Sequence, residues 1–201
     1  MLVALGLGPG DSELITVRGA RLLRTADKVF VPGEIARRIV LPYVDPELLD
    51  FPMTNDEDAI TKAMERNSDR IAKYALNGTA VLGILGDPSF FSTYGRLYTI
   101  LKQRYPSIEC TVEPGISSIT AFAAKMGVAV NSGLEVSDGS EKACRVLLKV
   151  RRPRETVEKL RKEGFKEFVL AERMYMDGEK IYGESDMPEV CDYMSVLFAR
   201  R

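Results

Sequence analysis

Residues 1–16, MLVALGLGPGDSELIT, decide the fold. The apolar run Leu2 to Leu5 reads as a buried strand, and it breaks at once into Gly6-Leu7-Gly8-Pro9-Gly10-Asp11. Glycines and a proline this close together make a tight turn whose backbone can touch a ligand with no Cβ in the way. An amphipathic helix is expected next, from Thr16 to Ala26, with Val17, Ala20, Leu22 and Leu23 largely toward one side and arginines between them. A strand that runs through a glycine-rich turn into a helix is how α/β proteins hold nucleotide-like ligands at the carboxyl ends of their strands. The pattern here is GxGPGD. Its proline and early acid fit a dinucleotide site poorly, and the lysine of a phosphate loop is missing. A plain strand-to-helix connection explains the turn equally well on its own.

Working outward, Lys28 to Val31 reads as a strand ended by Pro32-Gly33, Glu34 to Val40 as a short helix, and Leu48 to Phe51 as a short strand. Asn55 is the expected N-cap of a long helix, with acids at 56–58 in its first turn and a stop at Asn77-Gly78. Thr79 to Leu85 is apolar almost throughout, as a central parallel strand covered on both faces should be. A helix over 92–104, a strand near 108–112 and a small-residue helix over 117–126 complete an alternating order that implies a mostly parallel sheet. Past residue 127 the texture changes. Residues 131–141 are polar and rich in Gly and Ser, and strands then outnumber helices: 145–150, 168–172 and 193–199, with a helix over 153–163 and a hairpin-like segment at Gly178 and Gly183. The expected organisation is two α/β domains, 1–112 with a mostly parallel sheet and 113–201 with a mixed sheet.

Composition narrows the chemistry. The chain has 201 residues, enough for two small domains or one large one, and a net charge of −1 that does not advertise nucleic-acid binding. Cys110, Cys144 and Cys191 are odd in number and far apart, which suits reduced thiols in a cytoplasm better than disulfides or zinc. Histidine is absent. That removes Ser-His-Asp and Cys-His catalysis, HExxH metal sites and histidine general bases. No metal site is expected. No stretch approaches the roughly 20 apolar residues a bilayer span needs, so no membrane partner is expected and the location is expected to be cytoplasmic.

Two further turns repeat the opening design. In Leu85-Gly86-Asp87-Pro88, the proline forces Asp87 into an extended conformation, so the acid leans off the strand end. It either caps the next helix or faces a cationic ligand group. In Glu113-Pro114-Gly115-Ile116-Ser117-Ser118, hydroxyl residues stand at a helix start, where free N–H groups accept ligand oxygens or where a serine simply caps. Lys149-Val150-Arg151-Arg152-Pro153-Arg154 carries four cations within six residues. It is either a solvated run or a grip for a polycarboxylate, to which Arg96 and Arg173 are further candidates.

Taken in order, GLGPGDSELIT, GDPSFFSTY at 86–94 and VEPGISSITAFAAKMG at 112–127 resemble the tetrapyrrole methylases, the class III S-adenosylmethionine methyltransferases. Within that family, GDPSFFSTY, PGISSITAFAAKMG, VLLKV at 146–150 and the tail AERMYMDGEKIYG with YMSVLFARR are similar to the C-20 methyltransferases acting on precorrin-2 or cobalt-factor II. Between about Asn131 and Lys142 the chain is short where relatives carry an extra strand and helix. The resemblance implies two α/β domains with S-adenosyl-L-methionine in the cleft between them. Its contacts would be Pro9, Leu85, Gly86, Asp87, Phe90, Ser117 and Ser118, with Leu148 from the second domain. The resemblance also implies a homodimer and a carboxylate-rich tetrapyrrole substrate, for which Lys149, Arg151 and Arg152 are the candidate grip. No catalytic residue is assigned. Asp87 leads for a polar role, and Tyr94, a carboxylate or water could accept a proton. Competing readings are another ring-position methyltransferase of cobalamin synthesis, diphthine synthase, and a non-catalytic nucleotide-binding protein.

Overall fold

Alternation along β1 (Leu2–Gly6) feeds two cores at once. Leu2 and Ala4 enter one apolar cluster, while Val3 and Leu5 enter another on the opposite face of the sheet. A computed structural model describes residues 1–141 and 143–201. It divides the chain into two compact units, Met1–Val136 and Ser137–Arg201. The expected boundary after residue 112 therefore falls inside the first unit, which keeps the helix that follows. The polar stretch expected to be short begins in the first unit, and its last residue, Lys142, lies outside the described residues.

The first unit is a five-stranded parallel sheet in the order β3-β2-β4-β1-β5. Its other strands are β2 (Lys28–Val31), β3 (Glu47–Leu48), β4 (Ala80–Ile84) and β5 (Cys110–Glu113). Both β1 and β4 are buried at every position, which is why each reads as an unbroken apolar run. Helices α1 (Val17–Thr25) and α2 (Glu34–Val40) pack in the cluster with Val3 and Leu5. Helices α3 (Glu57–Ala75) and α4 (Tyr94–Arg104) pack on the other face with Leu2 and Ala4. Thr16 caps α1 by accepting the Gly19 N–H at 3.0 Å. For α3 the cap is Asp56 and not Asn55. Its Oδ1 accepts the N–H groups of Asp58 and Ala59 at 3.0 and 3.1 Å. Strand β3 is also shorter than expected, because the Asp50 carbonyl leaves the ladder to accept from Asn67 Nδ2 at 2.7 Å. Helix α5 (Ser118–Met126) closes the unit, capped by Ser117 at one end and by left-handed Gly127 at the other.

The second unit corrects the expectation of a mixed sheet. Its strands β6 (Cys144–Leu148), β7 (Glu167–Glu172), β8 (Lys180–Tyr182) and β9 (Ser195–Arg200) pair antiparallel throughout, in the order β6-β9-β7-β8. Strands β6 and β7, joined by α6 (Pro153–Lys162), do run the same way, but β9 is inserted between them. Along β7 and β9 burial alternates. Phe168, Leu170, Leu197 and Ala199 meet Val157 and Leu160 of α6 in a third core.

Candidate active site

Two neighbouring strands, β1 and β4, send their chains to helices on opposite faces of the sheet, α1 and α4. Such a point opens a crevice at the carboxyl edge of an α/β sheet, and ligands settle there. All three glycine turns of the first unit lie at this edge. Gly8 and Gly86 bridge the first two in both directions: Gly86 N–H donates to Gly8 O at 2.8 Å, and Gly8 N–H to Gly86 O at 3.3 Å. The third turn packs directly on the others. A Cβ added at Gly115 would lie 2.6 Å from Gly6 Cα and 2.7 Å from Gly6 C, and would also strike Gly86 O. Only glycine permits backbone to pass backbone at that separation.

Asp87 is the brace of this arrangement. It is 8% exposed. One carboxylate oxygen accepts the Ser89 N–H at 2.8 Å, and the other reaches across to the Gly115 N–H at 3.1 Å. The first bond closes a local turn and does not cap α4, whose N-cap is Thr93, so the helix-cap reading of Asp87 fails; the second bond ties β4's turn to β5's. Nothing in the sequence alone reveals the partner 28 residues away.

Around the braced backbone stands an exposed rim. Pro9 is exposed, as are Leu85, Phe90, Phe91 and Ile116, all apolar. Phe91 holds a φ of 48°, a left-handed conformation costly for a bulky side chain and recurrent at ligand sites. Gly86, at φ 68°, faces the first turn of α5: a Cβ there would point at the Ser118 nitrogen, 4.0 Å away. Ser117 spends its hydroxyl on the Ile119 N–H at 3.3 Å, while the helix leaves the Ser118 N–H without an intrahelical partner. Open glycine backbone, helix-start donors and apolar side chains in the same place fit a ligand with a polar tail and a flat apolar head. Of the expected cofactor residues, Pro9, Leu85, Gly86, Asp87, Phe90, Ser117 and Ser118 thus share one edge of the first unit.

Tyr94 is elsewhere. It opens α4 and is buried in the apolar core with Leu97, Leu101 and Ile108. Burial pushes its phenol up to about 12, with the neighbouring Cys110 and Tyr98 adding to the shift. A phenol held that firmly neutral is a poor proton acceptor at ordinary pH.

The remaining expected residues lie in the second unit. Leu148 ends β6 with its side chain exposed. Lys149 follows at φ 58°, its ammonium 5.2 Å from the centre of the Tyr193 ring and raised in pKa by its hydrogen bond to that tyrosine. Arg152 pairs with Glu155 at 3.0 Å, and Arg154 donates to the Met187 carbonyl at 2.7 Å. Arg151 is exposed and has no ion pair among the described residues, so it is the free cation of the run. Arg96 and Arg173 are paired, with Glu57 and Asp192.

Comparison with known proteins identifies the family. The family model of the Tetrapyrrole (Corrin/Porphyrin) Methylases matches residues 1–189. The chain belongs to that family. A Methanocaldococcus jannaschii member, named as a probable cobalt-precorrin-2 C(20)-methyltransferase, is 32% identical over 149 residues, covering 70% of this chain and 60% of the relative. A Sinorhizobium precorrin-2 C(20)-methyltransferase is 27% identical over 153 residues, covering 67% and 61%. The chain thus spans less than two thirds of the length of the methylases it matches. Among solved structures, a Corynebacterium diphtheriae protein described as cobalamin synthesis related superposes with a TM-score of 0.53 at 12% identity, over 100% of this chain and 98% of that one. A diphthine synthase gives 0.50 at 18%, over 99% and 89%. At such identities the likeness is one of fold, and it covers the residues of both units.

Proposed function

We propose that the protein is an S-adenosylmethionine-dependent methyltransferase that methylates a reduced tetrapyrrole of cobalamin synthesis, precorrin-2 or cobalt-factor II, at C-20. The observation that carries this reading is the set of three glycine turns locked together at the crevice between β1 and β4. The two C-20 methyltransferases among the relatives support the choice of ring position. The cofactor supplies a methyl group on a sulfonium, which is electrophilic without help from the protein. What remains for the chain is to bind, align and exclude water. Pro9 and the Gly86 turn would receive the cofactor, Leu85 and Phe90 would cover its apolar part, and the start of α5 at Ser117 and Ser118 would offer N–H donors. Asp87 acts by holding the turns in place. Leu148 is a further proposed contact, and Lys149, Arg151 and Arg152 a proposed grip on substrate carboxylates, with Arg151 the one unencumbered by a local partner. The same resemblance underlies the proposal of a homodimer in the cytoplasm. No helix among the described residues is long and apolar enough to cross a membrane.

A second reading keeps the chemistry and moves the methyl. A cobalt-precorrin-4 C(11)-methyltransferase of Methanocaldococcus jannaschii is also similar, at 28% identity over 130 residues. Incubation with precorrin-2, cobalt-factor II or cobalt-precorrin-4 and methyl-labelled cofactor, followed by NMR, separates the two. Label at C-20 of precorrin-2 or cobalt-factor II is the expected result. Transfer to cobalt-precorrin-4 in place of these two substrates selects the second reading, and no transfer to any of the three by protein that binds S-adenosylhomocysteine overturns the assignment.

A further inference from the structure

A pocket of about 470 Å³ opens one residue past Pro9, lined by Gly10, Asp11, Ser12, Ile35, Arg38 and Ile39. It lies wholly within the first unit and has no part in the turn-to-turn brace. Its floor is the second half of the GxGPGD turn, and its wall is one side of α2. Two features set it apart from an ordinary surface dent. The first is the state of its cation. Helix α2 carries two adjacent arginines, and Glu34 stands four residues before Arg38, where a helical ion pair would form. Glu34 pairs instead with Arg37 at 3.6 Å, and Arg37 is also held by Asp45 at 3.1 Å. Arg38 is left exposed with no ion pair or hydrogen-bond partner among the described residues. The second is what surrounds the guanidinium. Ile35, one helical turn earlier, is 68% exposed, and nothing lies within 4 Å of where a Cβ on Gly10 would stand. Asp11, the one acid of the lining, already accepts the Glu13 N–H at 2.9 Å as a cap.

An uncommitted guanidinium beside an exposed branched side chain and open backbone matches a ligand edge that is apolar in its ring and carboxylated at its rim. We propose that Arg38, with Ile35 and the Gly10–Ser12 backbone, forms a substrate subsite that takes one carboxylate-bearing pyrrole edge of the macrocycle. The inference rests on the tetrapyrrole reading above and gives the first unit a specificity residue of its own. Arg38 grips a side-chain carboxylate, Ile35 lies against the adjoining ring, and the missing Cβ at Gly10 leaves room for the substituent.

Fluorescence titration of the intact protein with uroporphyrin III, a fully carboxylated tetrapyrrole, tests this without turnover. One charge-assisted bond at an exposed site is worth about tenfold in affinity, so Arg38→Ala should raise Kd by about tenfold and flatten its salt dependence. Arg38→Lys should recover part of the loss, having charge without the fork. Arg37→Ala, next door but already paired, should leave Kd within about twofold of wild type. Equal Kd values for Arg38→Ala and wild type overturn the subsite, as does a wild type that fails to bind the probe. Methyl transfer to precorrin-2 is scored separately. A wild type that transfers methyl while Arg38→Ala binds normally refutes the subsite alone. A loss of probe binding on Arg38→Ala with no transfer by wild type refutes the functional reading alone.

Discussion

Replacing Asp87 by asparagine separates a brace from a catalytic acid. The carboxylate accepts two backbone N–H groups, from Ser89 at 2.8 Å and Gly115 at 3.1 Å, in a position 8% exposed to solvent. Asparagine keeps the shape but offers one acceptor oxygen, so its amide NH₂ must face one of those two donors. A bond to a charged acceptor contributes about 1.5–3 kcal/mol, and a buried donor left without one costs a similar amount. Losing one of the pair should therefore weaken the turn by about 2 kcal/mol, or about thirtyfold in its local opening equilibrium. Because the chain has two compact units, a global melt would blur the effect. Amide hydrogen exchange resolves it, since the Gly115 or Ser89 N–H should exchange about thirtyfold faster in Asp87→Asn while the centre of β1 is unchanged. S-adenosylhomocysteine should bind more weakly in proportion. Exchange at both amides within about twofold of wild type would refute the brace. A collapse of turnover with exchange and cofactor affinity intact would instead return Asp87 to a direct chemical role.

Four more outcomes are expected. Gly115→Ala should abolish S-adenosylhomocysteine binding and destabilise the first unit by about 3 kcal/mol, since the new Cβ meets backbone at 2.6 Å. Gly95→Ala, in open space on α4, should be neutral or stabilising by up to about 1 kcal/mol, and thermal melts with ligand titration compare the two. Tyr94→Phe should keep kcat and its pH profile, and a hundredfold fall, about 3 kcal/mol, with an unchanged melt would restore the phenol as a proton carrier. Asp69 accepts from Tyr105 at 2.6 Å and from Arg104 at 2.8 and 3.0 Å, bonds that hold its carboxyl below the usual range. A depressed carboxylate contributes stability above its unfolded pKa of about 3.9 and loses it as pH falls further. Asp69→Asn should therefore flatten the fall in melting temperature below about pH 4, and parallel acid limbs would contradict the assignment.

The parallel sheet was legible because its signals are local. Apolar runs at Leu2–Leu5 and Ala80–Ile84 stop at glycine, and each stop is written into adjacent residues. The second sheet was not legible in the same way. A strand, a helix and a strand over 144–172 look the same whether their strands are neighbours or are parted by a third, and the strand that parts them lies at 195–200. Caps slipped by one residue where Asn55 and Asp56 compete for the same role. In the site, turn chemistry located Pro9, Gly86 and Ser117, but two facts depend on distance through space. The Asp87 bond to Gly115 spans 28 residues, and the burial of Tyr94 depends on which way α4 turns. Arg38 was missed because two adjacent arginines on a short helix look like ordinary solvated surface; which of them Glu34 and Asp45 take is settled by the fold.

The placing of β9 sets a schedule for the ribosome. Strands β6 and β7 leave the exit tunnel with α6 between them, yet neither pairs with the other, and both wait for residues 195–200. Until those residues emerge, the nascent second unit holds β6 without a partner strand, β7 paired with β8 alone and an uncovered α6 side, while the first unit already has every strand it needs. A ribosome stalled after β8 would therefore carry a finished parallel sheet tethered to a segment that chaperones and proteases can still seize. A late frameshift would leave the crevice between β1 and β4 whole and the antiparallel sheet unmade.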